Sequence, residues 1–127
     1  MHDPQEAPNK TVVVADDDAV TTRLVEATLQ AAGFKVITAP HGQAALRAVL
    51  SEKPAVLILD LGMPGMSGFD VLERLNTVTS VPQLKVLVMS ADREAADVQR
   101  ALDLGAADYL AKPFMPQDLL ARVKRIV

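Results

Sequence analysis

Five short, largely apolar runs alternate along the chain with longer segments whose apolar residues recur at helical spacing. The runs are Thr11–Ala15, Lys35–Ala39, Val56–Leu59, Leu84–Met89 and Tyr109–Ala111. Continuous aliphatic strands separated by single helices are typical of a parallel sheet that is covered by helices on both faces, with right-handed crossovers. The sequence therefore predicts one α/β domain that is built from five βα units.

The segments between the strands carry residues that typically start and stop helices. The starts predicted in this way lie at Asp18, Pro40, Ser67 with Asp70, Asp92 and Pro116. The corresponding ends lie at Gly33, at Lys53 before Pro54, at Leu75 and at Gly105. His41 is interpreted as a solvent-exposed turn residue.

Composition and charge exclude several classes of protein. The N-terminal segment MHDPQEAPNK is polar, so we expect residues 1–10 to form a flexible arm before a domain spanning residues 11–127. No apolar segment approaches the ~18 residues of a membrane span, and the arm has no signal-peptide pattern, so a cytoplasmic protein without membrane contact is expected. The net charge is −3 and no basic stripe is present, which argues against direct nucleic-acid binding. The absence of cysteine excludes disulfides and thiolate metal sites.

Three carboxylates stand where two of the predicted strands end. Asp16 and Asp17 directly follow TVVVA, and Asp60 follows VLIL. The carboxyl ends of parallel strands meet at one edge of the sheet, so we expect these groups to lie within a few ångströms of one another. Two such charges ~4 Å apart repel by about 4 kcal/mol at an effective dielectric near 20, which favours a bound cation. An all-oxygen ligand set favours Mg²⁺ over Zn²⁺.

The fourth and fifth predicted strands end in polar groups that complement the carboxylates. Ser90 places a hydroxyl after KVLVM, and Lys112 places an ammonium after YLA. Carboxylates, a divalent cation, a hydroxyl and a lysine at one edge are the components of a phosphoryl-binding site.

The motifs VVVADDD, LILDLGMPGMSG, VLVMSA and YLAKPF together resemble the receiver domain of two-component response regulators, over about residues 11–127. The resemblance implies a flavodoxin-like, doubly wound (βα)5 sandwich whose five-stranded parallel sheet has the order 2-1-3-4-5. It also implies that Asp60 accepts a phosphoryl group from a histidine kinase or a phosphotransfer protein. The chain would then be a signalling domain that catalyses only its own phosphorylation and dephosphorylation.

The resemblance assigns a metal role to four residues. Asp17, Asp60 and the backbone carbonyl of Gly62 would ligate Mg²⁺, and Asp16 would act through a coordinated water. Gly62 also stands at a position that tunes the lifetime of the phosphoryl group in this family, as does Asp92, two residues past Ser90.

Four further residues receive roles in the same way. Ser90 and Lys112 would hold the phosphoryl oxygens, and Tyr109 would change its burial when Asp60 is modified. The peptide bond between Lys112 and Pro113 would be cis. A homodimer through the last two helices and the fifth strand is a further expectation from the resemblance.

Two other functions stay open at this point. The run from Asp16 to Val20 also fits the D-x-D-x-V pattern, which resembles haloacid dehalogenase-type phosphatases, with Asp16 as nucleophile and Asp18 as general acid. No G-D-x-x-x-D motif follows it, and the chain is short for a cap domain. The third function is that of a pseudo-receiver, which binds partners without phosphorylation; the intact set of Asp17, Asp60, Ser90 and Lys112 disfavours it.

Overall fold

The computed structural model describes residues 8–91 and 95–127, and these residues form five βα units. The strands are β1 (Thr11–Ala15), β2 (Lys35–Ala39), β3 (Val56–Asp60), β4 (Lys85–Ser90) and β5 (Asp108–Ala111). The helices are α1 (Ala19–Ala31), α2 (Gly42–Glu52), α3 (Gly68–Leu75), α4 (Ala95–Asp103) and α5 (Pro116–Ile126). All strand pairs are parallel and the order is β2-β1-β3-β4-β5, so the predicted fold class and strand order are confirmed.

The register of the sheet brings the carboxyl ends of the inner strands to one edge. The residue pairs at this edge are Ala15 with Leu59, Asp60 with Met89, and Ser90 with Ala111. Asp16 and Lys112 directly follow β1 and β5, so they emerge at the same edge as Asp60 and Ser90.

Side chains of the inner strands alternate between two apolar clusters, one on each face of the sheet. The cluster beneath α1 and α5 contains Val12, Val14, Val56, Ile58, Leu87 and Met89 from the strands. The cluster beneath α2, α3 and α4 contains Val13, Ala15, Leu57, Leu59, Val86 and Val88. The inner strands bury side chains on both faces of the sheet, which explains why they show no alternation of apolar and polar residues in the sequence.

Most of the predicted helix ends are confirmed by their hydrogen bonds. The Asp18 carboxylate accepts the backbone N–H of Val20 at the start of α1, and Gly33 follows that helix with φ +92°, which suits a residue without Cβ. Ser67 and Asp70 form a complete capping box, in which each side chain accepts the other residue's backbone N–H.

The second helix differs from the prediction at its start. The Nδ1 atom of His41 accepts the backbone N–H of Ala44 at 3.1 Å, so His41 is the N-cap of α2 and not a turn residue. The helix therefore begins at Gly42 instead of Pro40. Its end is also one residue earlier than predicted, because Lys53 adopts a left-handed conformation with φ +47°.

The remaining boundaries differ by one or two residues. Strand β3 includes Asp60, β4 starts and ends one residue later than predicted, and β5 starts one residue earlier. Helix α4 ends at Asp103, before Gly105. The predicted cap at Asp92 lies outside the described residues.

The start of the described chain is bonded to the domain. The Asn9 side-chain amide donates to the Lys53 carbonyl at 3.0 Å, and the Lys10 carbonyl accepts the Lys35 N–H at 2.9 Å. Residues 1–7 of the predicted arm lie outside the described range. Within residues 8–91 and 95–127, no helix has the length and apolar character needed to cross a bilayer.

An ion-pair cluster joins β5 to α5. The Asp108 carboxylate accepts hydrogen bonds from Arg122 Nη1 at 2.8 Å and from Arg125 Nη2, and also accepts the Tyr109 backbone N–H at 2.8 Å. Burial alone would raise the pKa of Asp108, but these three hydrogen bonds outweigh it and hold the pKa below its ordinary value. The cluster therefore helps to fix the last helix against the sheet.

Candidate functional site

Three carboxylates come together at the edge of the sheet where the inner strands end. Asp16, Asp17 and Asp60 each offer one oxygen, and these oxygens lie within 4.8 Å of one another. Asp16 and Asp60 are only 3% and 7% exposed, whereas Asp17 is exposed to solvent. The grouping expected from the strand ends is therefore present in the structure.

Lys112 supplies a positive charge within this cluster. Its Nζ atom lies 2.6 Å from Asp16 Oδ2 and 3.5 Å from Asp60 Oδ1. Three carboxylates and one ammonium leave an excess of negative charge among the described groups of the cluster. A divalent cation would neutralise that excess, and oxygen ligands are the ones that Mg²⁺ prefers.

Burial and the neighbouring charges shift the pKa values of Asp60 and Lys112. Burial, followed by repulsion from Asp16, raises the pKa of Asp60 above its ordinary value, although Lys112 opposes the shift. Burial would lower the pKa of Lys112, but the hydrogen bond to Asp16 and the attraction of Asp60 outweigh it and raise the pKa. Lys112 therefore stays charged, and ionisation of Asp60 costs more free energy than ionisation of an ordinary exposed carboxyl group.

The two buried carboxylates differ in their hydrogen bonds. Asp16 Oδ1 accepts the backbone N–H of Asp18 at 3.0 Å, while its other oxygen accepts from Lys112. Asp60 Oδ1 accepts the backbone N–H of Gly62 at a longer distance of 3.3 Å. Both oxygens of Asp16 are thus engaged by the protein, which suits an indirect, water-mediated role better than direct bonding to an ion.

Gly68, the first residue of α3, holds the main chain around Asp60 in place. An added Cβ at Gly68 would lie 2.6 Å from the Asp60 carbonyl oxygen and 2.7 Å from Leu61 Cα, closer than real Cβ contacts occur. The Gly68 N–H also donates to the Leu61 carbonyl at 3.1 Å. Only glycine allows this approach, so α3 packs directly on the backbone that carries Asp60.

Ser90 is linked to Lys112 and Tyr109 through its backbone. The Ser90 carbonyl accepts the Lys112 backbone N–H at 2.9 Å and the Tyr109 hydroxyl at 3.2 Å. The ring of Tyr109 is half-buried against the cluster beneath α2, α3 and α4. The sequence pointed to Ser90 and Tyr109, but the shared carbonyl depends on strand register and has no local sequence signal.

The structure also locates the other residues that the sequence proposed. The Asp18 carboxylate accepts from Val20 N and, at 2.7 Å, from Thr21 Oγ1, and the Thr21 bond is the first cause that lowers the pKa of Asp18. Asp18 therefore caps a helix instead of joining the carboxylate cluster, which counts against its role as a phosphatase general acid. The peptide bond between Lys112 and Pro113 is cis. Asp92 lies outside the described residues.

Comparisons with known proteins agree with this architecture. The family model "Response regulator receiver domain" matches residues 12–124. The transcriptional regulatory protein KdpE of Mycobacterium tuberculosis is 44% identical over 116 residues, and PhoP of Bacillus subtilis, an alkaline phosphatase synthesis regulator, is 36% identical over 119 residues. These matches cover 91% and 94% of this chain, which spans about half the length of the two relatives, 50% and 49%. The chemotaxis response regulator CheY4 of Vibrio cholerae superposes with a TM-score of 0.88 at 29% identity, covering 94% of this chain and 100% of that one.

Proposed function

Because the chain belongs to the response regulator receiver domain family, we propose that it is switched by transfer of a phosphoryl group to Asp60. The observation that carries this proposal is the position of the Asp60 carboxylate, within 4.8 Å of two other carboxylates and 3.5 Å from Lys112 Nζ. Both oxygens of Asp16 are engaged by the protein, and Asp17 is exposed. Asp60 is therefore the carboxylate best placed to act as the acceptor.

The proposed reaction is a direct displacement at phosphorus. A carboxylate oxygen of Asp60 attacks the phosphorus of a phosphohistidine, and an O–P bond forms as the P–N bond to the imidazole breaks. The bonding electrons leave with the imidazole nitrogen. The Lys112 ammonium and the Ser90 hydroxyl stabilise the negative charge on the transferring oxygens. The chain thereby acts as a signalling domain that accepts a phosphoryl group on itself.

Asp17 and Asp60, with the backbone carbonyl of Gly62, are the proposed ligands of Mg²⁺, and Asp16 would hold a coordinated water. The donor set fits this ion because it consists of oxygens alone and carries excess negative charge. When bound, Mg²⁺ supplies charge neutralisation that lets Asp60 stay ionised close to an incoming phosphoryl group.

The proposed phosphoryl donor is a histidine kinase or a phosphotransfer protein in the cytoplasm. Large apolar side chains are exposed on two segments that adjoin the site: Val20 and Leu24 on α1, and Met115 between β5 and α5. Exposed apolar side chains on segments beside a buried acceptor are suitable contacts for a partner that must bring its phosphohistidine to Asp60. A homodimer through α4, β5 and α5 stays a prediction.

The proposed output is a change at β5 and α4. A phosphoryl group on Asp60 brings about −1.5 to −2 charges and three acceptor oxygens, so the Ser90 hydroxyl is expected to move toward them. A shift that includes the Ser90 main chain moves the carbonyl to which the Tyr109 hydroxyl is bonded. Tyr109 would then rotate further inward, which reshapes the outer face of β5.

Incubation with Mg²⁺ and acetyl phosphate, followed by mass spectrometry of the intact protein and its peptides, tests the acceptor. One added phosphoryl group on Asp60, absent in Asp60→Asn, is the expected result. An adduct on Asp16 together with hydrolysis of general phosphoesters would favour the phosphatase instead. No adduct, with partner binding unchanged in Asp60→Asn, would favour a pseudo-receiver.

A further inference from the structure

One face of α3 contacts α4 through a set of polar and stacked side chains. The Arg100 guanidinium of α4 lies 4.1 Å from the centroid of the Phe69 ring and 3.6 Å from Glu73 Oε1, both on α3. Near the far end of α3, the Asn76 side-chain amide donates to the Leu104 carbonyl at 2.9 Å. Phe69, Glu73 and Asn76 are spaced by four and three residues, so they share one face of the helix.

Helix α4 depends on these contacts more than its neighbours do. Within residues 95–103, Ala101 is the only fully buried residue, and its side chain is small. In contrast, α3 buries Val71 and Leu72, and α5 buries Leu119 and Val123. Little apolar area therefore fixes α4, and the stacking of Arg100 on Phe69 supplies an attraction that small buried groups do not.

The other end of α3 touches the main chain of the acceptor residue. Gly68 packs on the carbonyl of Asp60 so closely that no side chain fits between them. A displacement of the Asp60 backbone is therefore passed to α3 directly, and α3 carries the residues that hold Arg100.

We infer that Arg100, held by Phe69 and Glu73, is a positioning residue that keeps α4 in its resting orientation and couples it to the chain around Asp60. The inference rests on the proposed function, because it assumes that α4 changes position when Asp60 is phosphorylated. This route is separate from the one through Ser90 and Tyr109. Both bias one equilibrium between two orientations of α4, so weakening the Arg100 contact favours the active orientation before any phosphorylation.

The test compares Arg100→Ala with the wild type by amide hydrogen exchange and NMR, each with and without beryllofluoride. In the unmodified protein, amides of α4 should exchange about fivefold faster in Arg100→Ala, which corresponds to about 1 kcal/mol at 1.36 kcal/mol per tenfold change. Amides of α5 should be unchanged. An active orientation populated to about 5% would rise to about 20%, so the α4 shifts should move toward their beryllofluoride positions.

Two further variants separate the contributions of stacking and ion pairing to the Arg100 contact, and a third variant is the control. Arg100→Lys keeps the charge but loses the planar group that stacks on Phe69, so an intermediate effect is expected. Glu73→Gln removes only the ion pair, whose side chains are both 55% exposed, and should have the smallest effect. Gln99→Ala is the matched control, because Gln99 is an exposed neighbour whose side chain bonds to Asp103 within α4.

Two results would overturn the inference. One is an α4 exchange rate and α4 shifts in Arg100→Ala that match the wild type. The other is an acceleration that is equal in α4 and α5, because that would indicate a global loss of stability. A wild type that shows no response to beryllofluoride near Asp60 would instead refute the proposed function, while the exchange comparison would still decide whether Arg100 holds α4.

Discussion

Replacing Asp60 by asparagine is expected to stabilise the protein when no divalent cation is present. At an effective dielectric of about 20, a charge on Asp60 is repelled by Asp16 by at least about 3.5 kcal/mol, because their ligand oxygens lie within 4.8 Å of each other, and attracted by Lys112 by about 4.7 kcal/mol at 3.5 Å. Repulsion by the exposed Asp17 adds about 1 kcal/mol after screening by water. The attraction by Lys112 and the two repulsions nearly cancel. The sign of the change in the free energy of unfolding is therefore decided by the desolvation of Asp60, which is the first cause of its raised pKa.

We expect a gain of about 1–2 kcal/mol in the free energy of unfolding at pH 7, or roughly 3–6 °C in Tm. Asn is close to Asp in shape and can still accept the Gly62 N–H, so little packing is lost. Because the folded pKa of Asp60 lies above its ordinary value of 3.8, the ionised carboxylate destabilises the wild type at neutral pH. The difference in the free energy of unfolding between the two proteins should therefore be largest above the folded pKa of Asp60, and it should disappear as the pH falls below 3.8.

Urea unfolding in EDTA, followed by titration with Mg²⁺, measures this effect. The advantage of Asp60→Asn should shrink as Mg²⁺ is added, because an ion that binds the folded wild type stabilises it. As controls, Asp17→Asn should raise stability by no more than the repulsion of about 1 kcal/mol that it relieves, and Lys112→Ala should cost about 3 kcal/mol by leaving Asp16 buried without a cationic partner. An Asp60→Asn protein that is less stable than the wild type in EDTA at pH 7 would refute the electrostatic reasoning.

Substitutions at three other positions test contacts described above. Gly68→Ala should cost about 2 kcal/mol in urea unfolding and should slow phosphorylation by acetyl phosphate, because the new methyl group must displace the backbone at Asp60. Wild-type stability and a wild-type phosphorylation rate would contradict the close contact between Gly68 and the Asp60 carbonyl. Asp108→Asn should lower the free energy of unfolding by about 1 kcal/mol at pH 7. Because the folded pKa of Asp108 is lowered, this loss should disappear in thermal unfolding as the pH falls through that pKa. A loss of stability that is independent of pH would argue against the ion pairs. His41→Ala should cost about 1 kcal/mol in urea unfolding, whereas His41→Asn should be nearly neutral because Asn can also cap the helix. Equal losses in both variants would show that the hydrogen bond from the Ala44 N–H is not the cause of the lost stability.

Features that depend on local chemistry were predicted well. The apolar runs, the Asp18 cap, the Ser67 capping box and the Gly33 stop each need only a few neighbouring residues, and the structure contains all of them. The clustering of carboxylates also followed from the sequence, because parallel strands bring their carboxyl ends together. His41 was misinterpreted because histidine is a less usual N-cap than Ser, Thr, Asp or Asn.

Contacts between distant residues could not be predicted in this way. The Arg100 contact with Phe69, the pairing of Asp108 with Arg122, and the preference of Lys112 for Asp16 over Asp60 all depend on how helices and strands pack. An arginine on a helix surface has many acidic and aromatic residues within its reach, and the sequence does not distinguish among them. Such pairs follow only from the register of the sheet and the rotation of each helix.

The separation of the core into two clusters has a consequence for how the protein can diversify. Among residues 8–91 and 95–127, the two clusters have no member in common, so substitutions beneath α1 and substitutions beneath α3 or α4 should have additive effects on stability. If α1 contacts the phosphoryl donor as proposed, α1 could accumulate changes that suit a new kinase without disturbing the contact between Arg100 and α3. The proposed recognition surface and the proposed response surface then lie on opposite faces of the sheet, and each could be engineered separately.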